Sequence, residues 1–105
     1  MEKRMNKDEL INLIESIQID FEEFWILSTS ALVLRGLFPN AGDLDIAVTK
    51  KGLEQLKQKY NLQQKENGWY TVNDKIECVL DNKEIWKIEK YGKYNLECLE
   101  KYLEY

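Results

Sequence analysis

Apolar and polar positions alternate along this chain with two different periods. Over residues 6–18, "NKDELINLIESIQ", the apolar side chains Leu10, Ile11, Leu13, Ile14 and Ile17 recur at helical spacing. Asn6 stands at the N-cap and Glu9 at the acidic position of a capping box, so the stretch predicts a helix. The run "EFWILS", residues 23–28, predicts a buried strand, and "SALVLRG", residues 30–36, a short helix that stops at Gly36 and exits through "LFPNAG". "DLDIAV", residues 43–48, alternates as a strand does, and "KGLEQLKQKY", residues 51–60, reads as an amphipathic helix. Residues 61–81 predict strands joined by turns at Asn67-Gly68 and Asn73-Asp74. "YNLECLEKYLEY", residues 94–105, predicts a closing helix with Leu96, Leu99, Tyr102 and Leu103 on one side. Helices interleaved with strands, but ending in a meander, place the chain in the α/β (α+β) class, a small mixed sheet with helices mainly on one face. There is no linker and no repeat, so residues 1–105 are expected to form one domain.

Two polar interruptions stand out in the most apolar region. Ser28, Thr29 and Ser30 follow a strand and lead into a helix, whose first N–H groups have no intrahelical partner and can receive an anion. Simple capping by Ser28 or Thr29 is the commoner role for such hydroxyls. Asp43 and Asp45 fall on the strand face opposite Leu44, Ile46 and Val48, side by side. A divalent cation would relieve their repulsion, and oxygen ligands favour magnesium or manganese; a solvated strand end after the turn "NAGD" is the alternative. Glu77 alternates with Ile76, Cys78 and Leu80, and a strand placed next to "DLDIAV" would make it the third member of a carboxylate cluster. Taken alone, it is an ordinary charge on an exposed strand face.

Composition narrows the chemistry. The chain has 105 residues, 44% of them apolar, enough for a core without staples. Its 15 basic and 19 acidic side chains leave a net charge of -4, without the basic excess of nonspecific nucleic-acid binders. No apolar run reaches transmembrane length and "MEKRMNKDEL" lacks the apolar region of a signal peptide, so no membrane partner and a cytoplasmic location are expected. Cys78 and Cys98 have no metal-ligand spacing and read as reduced thiols. With no histidine, imidazole bases, Ser-His-Asp triads and most zinc sites are excluded.

The order of the pieces "ILSTSALVLRG", "GDLDIAV" and "KIECVL" resembles the nucleotidyltransferase fold shared by DNA polymerase beta and many small bacterial proteins. The spacing from Thr29 to Asp43 is more similar to AbiEii-type and related uncharacterised nucleotidyltransferase-like families than to the minimal antitoxin type. "YNLECLEKYLEY" is similar to the leucine-rich helix that follows the core there, and the resemblance covers residues 24–105. It implies a minimal nucleotidyltransferase fold in which Ser28, Thr29 and Ser30 bind the nucleotide and Asp43, Asp45 and Glu77 hold Mg2+ or Mn2+ and carry catalysis. The implied substrate is a nucleoside triphosphate, whose nucleoside monophosphate passes to a hydroxyl of a protein, RNA or small molecule. Arg35, within the helix, is a candidate phosphate contact, a surface arginine being the commoner outcome. Ser28 stands where those families carry the first glycine of the turn, which lets phosphate approach the backbone. Tyr105 ends the sequence without the further helical region of larger relatives. Both departures point to a second reading, a catalytically degenerate binding or regulatory module of a toxin-antitoxin or phage-host interaction. A third is a small interaction domain whose acids are surface charges. Trp86, Tyr91, Tyr94, Tyr102 and Tyr105 supply either an interface for a homo-oligomer or cover for the sheet.

Overall fold

The computed structural model describes residues 4–81 and 87–98. Helix α1 spans Lys7–Ile17 and begins with the capping box: Asn6 Oδ1 accepts from the Glu9 N–H at 2.9 Å, and the Glu9 carboxylate accepts from the Asn6 N–H at 3.2 Å. A 3₁₀ turn, Phe21–Glu23, leads into β1 (Phe24–Ile26), followed by α2 (Ser28–Leu34), β2 (Leu44–Val48) and α3 (Lys50–Lys59). The strands β3 (Gln63–Gln64), β4 (Tyr70–Thr71), β5 (Ile76–Leu80), β6 (Ile88–Tyr91) and β7 (Tyr94–Glu97) complete the described chain.

These strands form one mixed sheet in the order β3-β4-β5-β2-β1-β7-β6. Strand β2 runs antiparallel to β1, with Phe24 across from Val48, and parallel to β5, with Leu44 across from Ile76. Alternation divides the side chains between two faces. Phe24, Ile26, Leu44, Ile46, Val48, Ile76 and Cys78 join Leu10, Ile14 and Ile17 of α1, Ala31, Val33 and Leu34 of α2, and Leu53 and Leu56 of α3 in the main core. All three helices therefore cover the same face, and the mixed α/β class expected from the sequence is the one the chain adopts. The opposite face carries a smaller cluster of Trp25, Leu27 and Ala47, with Trp69, Val79 and Ile88 against it. Helix α3 approaches the 3₁₀ turn so closely that a Cβ on Gly52 would lie 2.6 Å from the Glu23 carbonyl oxygen. The turns at Asn67 and Asn73 form as expected: Asn67 Oδ1 accepts from the Trp69 N–H, and Asn73 Oδ1 from the N–H groups of Lys75 and Ile76. Among the described residues, no helix is long and apolar enough to cross a membrane.

Two local expectations are corrected. Residues Tyr94–Glu97 are strand, not helix: Gly92 adopts φ 63°, a two-residue loop sets Tyr91 opposite Tyr94, and Leu96 pairs in parallel with Ile26. An open edge of β1 can be satisfied by extended backbone and not by a helix, and Leu96 is fully buried there. Leu99, Tyr102, Leu103, Trp86 and Tyr105 lie outside the described residues. The second correction concerns the start of α2. Its N-cap is Leu27, without a side-chain cap, so neither Ser28 nor Thr29 serves as the capping residue.

Candidate functional site

The site is assembled where β1, α2 and β2 meet. The Leu27 N–H donates to the Asp45 carbonyl at 2.9 Å, which extends the β1–β2 ladder to the first residue past the strand. The chain then turns at Ser28, which adopts φ 56°. That left-handed conformation costs a side-chain-bearing residue about 1–2 kcal/mol and is the one glycine adopts freely. The Ser28 N–H donates to Glu97 Oε2 at 2.9 Å, and Glu97 is 3% exposed. Ser30 is buried, and its hydroxyl donates to the Asp43 carbonyl at 2.7 Å, tying the first turn of α2 to the residue that leads into β2.

The expected pairing of carboxylates is present in the register: Asp45 lies directly across from Glu77 on the parallel neighbour β5. Both belong to the face opposite the helices, and Asp43 lies two positions before Asp45. The Asp45 carboxyl is pushed above its ordinary value, first by burial and then by the charges of Asp43 and Glu77, with Lys65 opposing. Lys65, in the loop between β3 and β4, places its ammonium 3.0 and 3.2 Å from the two Glu77 oxygens. Among the described residues, no group of three acidic or cysteine side chains stands ready to hold a metal ion. Asp43 and Asp45 nevertheless supply the oxygen donors a hard cation prefers, while Glu77 would have to leave Lys65 to join them.

A polar cleft of about 230 Å³ opens beside these acids, lined by Arg4, Thr29, Ser30, Gly42, Asp43 and Asp45. Of the residues singled out from the sequence, it unites Thr29, Ser30, Asp43 and Asp45. Arg35 stands apart: its side chain is 5% exposed, pairs with Glu89 and donates to the Glu97 carbonyl at 2.8 Å, which makes it a strut beneath β7. Arg4, Lys65 and Glu97 were missed. No local motif marks Arg4, which reaches the cleft because Met5 and Ala41 pair through backbone hydrogen bonds of 2.7 and 2.9 Å. A hairpin signal at "YGKY" would have turned Glu97 from a helix residue into a strand residue near the turn. Cys78 and Cys98 are free; burial, and then the charge of Glu77, push the Cys78 thiol up to about 12, which disfavours its thiolate.

No family model, curated protein or solved structure matches this chain.

Proposed function

We propose that this cleft is the nucleotide site of a metal-dependent nucleotidyltransferase of the polymerase beta-like fold, acting in the cytoplasm. The reaction would carry a nucleoside monophosphate from a nucleoside triphosphate to a hydroxyl of a protein, RNA or small molecule. The observation that carries the reading is the β2–β5 register, which sets Asp45 across from Glu77, with Asp43 at the head of β2 and the first turn of α2 lining the same cleft. Asp43 and Asp45 would hold magnesium or manganese, joined by Glu77 once Lys65 releases it. When bound, the metal supplies neutralising charge to the triphosphate oxygens and to the departing pyrophosphate. Thr29 offers a hydroxyl donor in the cleft, and Ser30 holds the distance between α2 and Asp43. In the transfer, the acceptor oxygen bonds to the α-phosphorus, the bond to the β-phosphate oxygen breaks, pyrophosphate leaves and the hydroxyl proton passes to water.

A specific observation favours the second reading, a degenerate module that binds without turnover. The Ser28 N–H is already held by the buried Glu97 carboxylate, and Glu77 is already held by Lys65. Two groups on which transfer would call are thus engaged within the protein.

Thermal melting with millimolar magnesium and a nonhydrolysable nucleoside triphosphate tests the proposal. A ligand at tenfold excess over its Kd stabilises by about 1.4 kcal/mol, a rise of roughly 6 to 11 °C for a domain of this size. Asp45→Asn should abolish most of that rise. A rise accompanied by pyrophosphate release from an authentic triphosphate supports transfer, and a rise without release supports the binding module. No rise in the parent removes the nucleotide reading.

A further inference from the structure

We propose that Arg4 is the polyphosphate-binding residue of the cleft, gripping the pyrophosphate end of a triphosphate whose metal is carried by Asp43 and Asp45; this rests on the nucleotide reading above. Arg4 lines the same cleft as the two aspartates. Its backbone position is set by the pairing of the next residue, Met5, with Ala41. Its guanidinium is set by Asn40: Nε donates to the Asn40 side-chain oxygen, and Nη2 to the Asn40 carbonyl at 3.3 Å. Asn40 is neutral, so this contact aims the guanidinium without cancelling its charge. Among the described residues, those two bonds use two of the five N–H donors an arginine carries.

The charges in the cleft specify the ligand. Two carboxylates alone would suit a bare cation, and one guanidinium alone a simple anion. Both together suit a cation already bound to an anion, with phosphoryl oxygens reaching from the metal to the arginine. A planar guanidinium meets two such oxygens at once, a geometry an ammonium lacks. Thr29, Ser30 and Gly42 complete the lining without a competing charge.

Calorimetric titration of the full chain with magnesium pyrophosphate, and with a nonhydrolysable triphosphate plus magnesium, tests the assignment. Arg4→Gln should weaken both about tenfold, the scale of one lost charge-assisted contact. Its affinity for a nucleoside monophosphate and its melting temperature should match the parent. Arg4→Lys should restore part of the loss, because it keeps the charge but not the fork. If Arg4→Gln binds both polyphosphates as the parent does, the Arg4 assignment fails while the nucleotide reading stands. If the parent binds neither, the nucleotide reading fails and takes the assignment with it. Should Arg4→Gln fold poorly, Arg4→Lys decides: a partial loss of polyphosphate affinity supports the fork contact, and parental affinity overturns it.

Discussion

The two faces of β2 carry opposite burdens. Toward the helices, Leu44, Ile46 and Val48 are fully buried in a core without charge. On the other face, burial first and then the charges of Asp43 and Glu77 make the ionised form of Asp45 unfavourable, with Lys65 opposing. The first face explains why the second can persist. Because side chains alternate, slipping the strand by one residue would drive the aspartates into the core and Leu44 and Ile46 out of it, so burial of one face holds the register of the other. The crowded carboxylates are kept together by apolar packing beneath them and gain nothing from one another.

The largest expected effect tests the supporting face. Ile46→Ala should lower stability by about 2–4 kcal/mol in urea denaturation, the loss of a fully buried side chain plus the cavity it leaves. A loss below about 1 kcal/mol would mean that the strand under the site collapses easily, and the contrast between the faces would weaken.

An intermediate effect belongs to the strained turn between β1 and α2. Ser28→Gly should raise stability by about 0.5–1 kcal/mol, because relief of the left-handed conformation exceeds the added freedom of glycine in the unfolded chain. A less stable variant would show that the serine side chain supports the turn.

The smallest effect sharpens the acidic face. Asp45→Asn should leave the ligand-free protein as stable as the parent, or more stable by no more than about 1 kcal/mol. A raised carboxyl pKa means that the native state binds this proton more tightly than the unfolded chain. Its stabilising contribution is therefore present below the ordinary value of 3.8 and is lost as pH rises through the higher folded value. Relative to Asp45→Asn, the parent should lose stability across that window in thermal melts. A parent that gains stability there would show an Asp45 held by favourable partners.

Much of the framework was legible because its causes are local. The Asn6–Glu9 capping box, the α1 stripe, the Asn67 and Asn73 turns and the alternation of β2 each depend on residues a few positions apart. The acids were legible for the same reason: alternation assigns Asp45 and Glu77 each to a face of its own strand, and a parallel neighbour then brings them together. Tyr94–Glu97 was not legible as a strand, since spaced leucines suit either period, and only the unfilled edge of β1 selects extended backbone.

The chain by itself thus determined which segments are helical or extended over most of its described length, which face of each strand is apolar, and that these 105 residues include no imidazole. Tertiary structure alone decided what surrounds the candidate site. It brought Arg4 to the cleft from before α1, Glu97 to the Ser28 N–H from the far side of β1, and Lys65 to Glu77 from the neighbouring hairpin, and it turned Arg35 into a buried strut. Each of these contacts joins residues that no short period links, because side-chain charges and hydrogen bonds act through space once the sheet has set its strand order.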